Sequence, residues 1–181
     1  TPNCKTVEEV AAFFRTTSDR ILKTILFEVE LKQIPPGSDL LGHADKRYAI
    51  AVVRGDRDVN EAKVKRALAE KHDVVAKLTL IEGEAAKQAG LPIGYLGPHI
   101  MLGNREFVSV FDSEIVPSQD QSDQTWIVGA NTEGHHLTGF NFVRDLGIRF
   151  RNQFGGILSL HAADIRNAVA GDPAPDGGTF I

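Results

Sequence analysis

Lys23 stands inside an apolar run, Ile21-Leu22-Lys23-Thr24-Ile25-Leu26-Phe27. A lysine so placed either lays its stem along apolar surface at a strand edge or aims its ammonium at an anion. Gly94-Tyr95-Leu96-Gly97-Pro98 packs two glycines and a proline into five residues. Such a loop brings its backbone close to a ligand and presents N–H groups to a carbonyl or an oxyanion. A bare connection between helix and strand uses the same residue types. Asp112 closes an apolar strand pattern, a place equally suited to a binding carboxylate and to a turn. In Gly129–Phe142 (GANTEGHHLTGFNF) turn chemistry accounts for Asn131 and Gly134. It does not account for His136 at the head of an apolar stretch, where a ligand contact and a structural histidine both remain open.

Other chemistries are excluded. No GxGxxG follows a strand pattern, and no Walker loop, HExxH or GxSxG is present. The six histidines lack repeated ligand spacing, and neighbours His135 and His136 would face opposite ways on a strand, so no metal is expected. The single Cys4 excludes an internal disulfide and a Cys-rich zinc site and suits a reducing compartment. No run of 18 apolar residues is present, so no membrane span is expected, and no signal-peptide pattern opens the chain.

These residues need elements to hold them. Thr6 with Glu9 has capping-box spacing and predicts a helix over residues 6–16, with Val10, Phe13 and Phe14 on one face. Ser18-Asp19 suits a short helical turn. Thr24–Leu31 and Tyr48–Val53 read as strands that pair in a wide hairpin, with Ile34-Pro35-Pro36-Gly37 breaking the first. Asp58 with Glu61 predicts a second helix start, running to about Glu70. Leu78–Leu80 suggests a short strand and Glu82–Ala89 a small helix stopped by Gly90. Glu106–Phe111, Trp126–Ala130 and His136–Phe142 complete the strands. Crossover helices do not separate the strands regularly, so an α+β fold is expected. Its sheet is mixed, largely antiparallel and curled towards a barrel, with helices outside.

The 181 residues are 42% hydrophobic and 24% charged, enough for one cored domain. The net charge of −4 argues against a simple basic nucleic-acid binder. Residues 1–77 carry 14 Lys+Arg against 12 Asp+Glu, and residues 78–181 carry 6 against 12. A polyanion is therefore expected on the first half.

The order Thr1-Pro2-Asn3-Cys4-Lys5-Thr6, Leu22-Lys23-Thr24, Arg54-Gly55-Asp56 with Asn60-Glu61, Gly94–Pro98, Asp112 and Gly129-Ala130-Asn131…His136…Gly139…Asn141 resembles the insertion domain of bacterial-type prolyl-tRNA synthetases. That domain is similar in fold to free-standing YbaK-like aminoacyl-tRNA deacylases. Asp164-Ile165-Arg166-Asn167 and Gly171-Asp172-Pro173…Pro175-Asp176-Gly177 look like the stretch that returns to a synthetase core. The resemblance thus implies an editing domain over 1–160 and a return segment over 161–181.

What it implies is post-transfer editing in cis: hydrolysis of alanine from mischarged Ala-tRNA(Pro). A pocket built for proline cannot reject the smaller alanine by much, since a few methylenes support only about 1–3 kcal/mol. The resemblance assigns deacylation to Lys23, facing the terminal phosphate or ribose, and to the Gly94, Gly97 and Pro98 loop, with Gly97 orienting ester and water. His136 and Asp112 line the same pocket, Asp112 suited to the α-ammonium. Asn131 belongs to the binding residues. Thr1, Val10 and Val59 form the size-selecting wall. Valines stand there where longer aliphatics also occur, so serine or 2-aminobutyrate enter as further substrates. His135 stands where a lysine can stand. The segment 149–161 has no assigned role.

The implied partners are the 3′ end of aminoacyl-tRNA(Pro) and the remainder of a synthetase chain, in the cytoplasm and with no membrane. No cofactor is implied for editing, ATP and Mg belonging to a synthetase domain outside this chain. A free-standing deacylase acting in trans and a non-catalytic tRNA-binding module are the alternatives.

Overall fold

The computed structural model describes residues 1–31, 48–72, 75–102, 107–147, 160–174 and 177–181. The expected break at 34–37 and the segment 149–159 lie outside the described residues, as do 175–176.

The fold is α+β, with a curled, mixed sheet rich in antiparallel pairs. Strand β2 (Tyr48–Arg54) sits at its centre in the order β3-β1-β2-β4-β7. β1 (Leu22–Leu31) runs antiparallel to β2, with Lys23 opposite Val53 and Thr24 opposite Val52. β1 also pairs antiparallel with β3 (Val75–Leu80) from Phe27 onward. β4 (Phe107–Asp112) joins β2 in parallel, and the short β7 (Ala162–Ala163) extends β4 in parallel. A separate hairpin pairs β5 (Trp126–Gly129) with β6 (His136–Phe140), and a parallel bridge from Ile21 to Ile127 ties it to the foot of β1.

The unbroken apolar run of β2 follows from burial on both faces. Ala49, Ala51 and Val53 face a cluster with Val64, Ala67 and Leu68 of α2 (Glu61–His72). Ile50 and Val52 face a larger cluster that includes Leu22, Leu26, Phe111, Trp126 and Phe140. All five β2 residues from Ala49 to Val53 are fully buried. A third, small cluster of Val10, Ala11 and Ile21 fastens α1 (Val7–Phe14) over the start of β1. Thr6 and Glu9 form the expected capping box there, and Arg15 closes the helix in the left-handed region. α3 (Gly83–Gln88) occupies the predicted place.

Strands β1 and β3 begin earlier than expected, at Leu22 and Val75, and two further boundaries are set by caps. Asn60, not Asp58, caps α2, accepting from the Lys63 amide at 3.1 Å, and this frees Asp58 for another partner. β6 stops at Phe140 because Asn141 caps a further helix, α4 (Phe142–Leu146), accepting from the Arg144 amide at 2.8 Å. The strand-like alternation of HLTGFNF hid that cap.

Residues beyond 160 share in the packing. Ile165 is fully buried in the α2 cluster, and Asn60 donates its amide to the Ile165 carbonyl at 2.8 Å. Asp112, 1% exposed, accepts from the Ile165 amide at 3.0 Å, the Glu114 amide at 2.9 Å and the Arg166 guanidinium at 3.2 Å. Removing that carboxylate leaves a guanidinium and two amides short of their partner. Asp112→Ala is expected to lower the unfolding free energy by about 3 kcal/mol in urea titration; an unchanged midpoint would contradict this role.

Candidate functional site

A cleft of about 470 Å³ is lined by α1, the start of β1, the turn after β2, the glycine loop, and Gly129 and His136 of the β5–β6 hairpin. That volume lies in the ordinary range for a small-molecule site. Its inner wall is aliphatic: Val7 and Val10 from α1, Ile21, Leu22 and Ile25 around β1, Ile93 and Leu96 from the glycine loop. Its mouth is charged, with Lys5 and Lys23 beside Glu8, Asp56 and Asp58.

Lys23 projects from the start of β1, mostly buried, and its Nζ donates to Asp58 Oδ1 at 2.9 Å. Asp58 itself is exposed, its side chain 83% accessible, so this pair is readily exchanged. Asp56 is held differently. The Arg54 guanidinium grips both its oxygens, and that hydrogen bonding keeps its carboxyl below the usual carboxylate range. Arg54 also meets Glu114 at 2.6 Å, and Glu114 meets Arg57 and Arg166. The Arg54-Gly55-Asp56 turn is thus anchored to Asp112 through Arg166. Gly55 leaves no room for a side chain, because a Cβ there would strike the Ser18 carbonyl oxygen.

The glycine loop lies on the end of the β5–β6 hairpin. Gly94 adopts φ +85, the left-handed region, where it lines the cleft beside Lys5. A Cβ on Gly97 would fall on the Gly129 carbonyl oxygen, and a Cβ on Gly129 would fall on the Tyr95 carbonyl. Asn131, at φ 57, completes the clamp: its amide donates to Tyr95 O at 2.8 Å, and its Oδ1 accepts from the Gly97 amide at 2.7 Å. Pro98 is buried and begins a 3-10 turn, Pro98–Met101.

His136 lies opposite Gly129 on β6, lines the cleft and meets the Tyr95 ring edge-on at 5.4 Å. Thr1 Oγ1 donates to the Gly134 carbonyl at 3.2 Å and lies 2.7 Å from His136 Nδ1. Which of the two donates is set by the His136 tautomer. In its neutral form the ring carries a proton on one nitrogen and a lone pair on the other. Burial pushes the His136 pKa below the ordinary 6.5, so this neutral form prevails at neutral pH.

The structure therefore brings Lys23, Gly94, Val10 and His136 to one cleft, with Thr1 behind His136. Gly97, Pro98 and Asn131 form the support of the loop, not its exposed surface. The Gly97 amide is already engaged by Asn131 Oδ1, so it is not free to donate to an ester. Asp112 and Val59 do not line the cleft. Asp112 is tied to Ile165 and Arg166, and Val59 bridges Arg166 while packing on the α2 cluster. Lys5, Thr24, Gly55 and Gly129 were missed as site residues, although each lies in a stretch that carries the resemblance. Among the described residues no cluster of three or more His, Cys, Asp or Glu is placed to hold a metal.

Residues 1–146 match the aminoacyl-tRNA editing domain family. The chain is 32% identical over 177 residues to a proline–tRNA ligase of Bacillus subtilis and 35% identical over 177 residues to one of Geobacillus kaustophilus. Each match takes in 98% of this chain and 25% of the relative, so the chain spans about a quarter of the length of these relatives. Among solved structures, one described as a proposed trans-editing enzyme for prolyl tRNA synthetase superposes with a TM-score of 0.55 at 14% identity, over 92% of this chain and 83% of that one. The likeness at that identity is one of fold.

Two measurements check the site's geometry. Asn131→Gly keeps the backbone conformation and removes the acceptor, so the Gly97 amide should exchange with solvent about tenfold faster, while Asn131→Asp keeps it protected. Equal protection in both variants would refute the clamp. The His136 ring should titrate by NMR with a midpoint below 6.5. Its folded pKa lies below the unfolded one. Its contribution to stability is therefore full above about pH 6.5 and declines as pH falls towards the folded value.

Proposed function

The chain belongs to the aminoacyl-tRNA editing domain family, and from that premise we propose that it hydrolyses the aminoacyl ester of mischarged Ala-tRNA(Pro), in cis, as the insertion domain of a proline–tRNA ligase. The observation that carries the reading is the convergence of Lys23, Gly94 and His136 on one aliphatic-walled cleft. The match to proline–tRNA ligases across 98% of this chain but a quarter of theirs supports the cis arrangement.

The reaction joins a water oxygen to the carbonyl carbon and breaks the bond to the ribose oxygen of the terminal adenosine. The proton passes to that ribose oxygen, leaving alanine and a free 3′ end. Lys23 exchanges Asp58 for the phosphate or ribose end of the substrate, a charge-assisted contact. The glycine loop, held flat by Asn131, fixes where the ester lies. His136 at neutral pH offers Nε2 to the substrate or its attacking water. Val10, 2% exposed, and its aliphatic neighbours set the size of the amino-acid pocket. A second, small site sorts on size what the synthetic pocket admits.

Water is the only co-substrate in this scheme, so EDTA is expected to leave the rate unchanged. The setting proposed is the cytoplasm, where tRNA charging takes place. Among the described residues no helix is long and apolar enough to cross a membrane.

The test is single-turnover deacylation of alanyl- and prolyl-tRNA(Pro). Alanine should be released and proline retained. Lys23→Ala should slow release about a hundredfold with an unchanged thermal midpoint, because the Lys23–Asp58 pair is partly exposed. A Lys23→Ala protein that deacylates at the full rate would sink the assignment.

A further inference from the structure

Among the described residues, one edge of β1 meets partners at its foot and from Leu26 onward, and no strand pairs with it at Thr24. Its other edge pairs residue by residue with β2, Thr24 facing Val52. On the free side, the Ile21–Ile127 bridge occupies the foot of the strand, the Leu26 carbonyl accepts from the Ile81 amide at 2.9 Å, and β3 pairs from Phe27 onward. A strand turns the amide and carbonyl of alternate residues to the same edge. Leu22, Thr24 and Leu26 therefore share this edge, and among the described residues no strand covers it at Thr24. The Thr24 hydroxyl oxygen is also buried, with no hydrogen-bond partner among the described residues. Thr24 lines the cleft, beside Lys23 and across from Gly129 and His136. A buried hydroxyl without a partner is costly, and its retention at a cleft wall calls for a ligand that completes it.

The aminoacyl end of the proposed substrate carries an α-ammonium that must be met inside the cleft. Asp112 is not there. Asp56 is gripped by Arg54, and Asp58 and Glu8 both stand exposed at the mouth. Resting on the deacylase reading above, we propose that Thr24 contacts the substrate directly. Its hydroxyl oxygen and its main-chain carbonyl accept hydrogen bonds from the α-ammonium of the aminoacyl ester. Neutral acceptors suit this place, since they need no counter-ion when the cleft is empty. The contact also sets the amino acid's orientation, turning its side chain to the aliphatic wall around Val10.

The test compares two esters of the same tRNA(Pro): alanyl, and lactyl, in which a hydroxyl replaces the amine. The 181-residue chain is assayed as wild type, Thr24→Val and Thr24→Ser under single-turnover conditions. Thr24→Val keeps the shape and removes the hydroxyl. It should slow release of alanine about ten- to a hundredfold and release of lactate less than about threefold. Thr24→Ser should stay within about threefold of wild type on both. The thermal midpoint of Thr24→Val should be equal or higher, because an unpartnered hydroxyl has been replaced by a methyl group. An unchanged alanyl rate, an equal loss on both esters, or a lowered midpoint would overturn the proposal. If the wild type hydrolyses the alanyl ester normally in those cases, only the Thr24 assignment falls. A wild type inert on alanyl-tRNA overturns the deacylase reading and this inference with it.

Discussion

The cleft exists because two backbones touch where no side chain fits. Gly97 lies on the carbonyl of Gly129, and Gly129 lies under the carbonyls of Tyr95 and Leu96. A methyl group at either place would lift the loop off the hairpin. Everything on that side of the cleft depends on this contact. It sets Leu96 against the inner wall, it brings the Tyr95 ring to the edge of His136, and it puts the Gly97 amide within reach of Asn131. Asn131 tolerates the left-handed backbone that such a turn demands, which glycine and asparagine do better than other residues.

The opposite side of the cleft is built on different physics. There β1 and the Arg54-Gly55-Asp56 turn are held by charge. Asp56 is bound by Arg54, Arg54 by Glu114, Glu114 by Arg166, and Arg166 by the buried Asp112. These ion pairs lead to Asp112, Glu114 and Arg166, which are remote in sequence from Lys23 and the Arg54-Gly55-Asp56 turn. One wall is thus fixed by shape and the other by a connected set of ion pairs. Networks of this kind resist displacement better than isolated surface pairs.

Much of this was legible in the sequence, and the failures have physical causes. The capping box of α1, the two-faced β2 and the glycine loop could be read because their signals are local: a side chain three residues from its partner, an unbroken apolar run, a cluster of glycines and proline. The convergence of Lys23, Gly94 and His136 was legible only through the resemblance, since residues 23, 94 and 136 share no local pattern. Asp112 was misplaced because strand-end carboxylates look alike whether they face a ligand or a buried arginine. The arginine that decides the matter lies 54 positions away. Asn131 shows the same limit of local patterns. Its turn chemistry was clear, but its acceptor serves the Gly97 amide across the loop, 34 residues back.

The charge balance takes on a definite meaning once the pairs are drawn. The first half of the chain is richer in cations, yet most of those around the cleft are already engaged. Arg54 and Arg57 meet Glu114, Lys63 meets Asp164, and Lys23 meets Asp58. Of these, the Lys23 pair has the most exposed acid, with Asp58 83% accessible against 56% or less for the others. An incoming phosphate can therefore displace one carboxylate at little cost, and among the described residues Lys5 is the other cation lining the cleft. On the proposed reading such a surface holds the tip of an RNA rather than its body. Selection then rests on the ester and its amino acid, which the inner wall measures, while phosphate contacts further along the RNA belong to the rest of the synthetase.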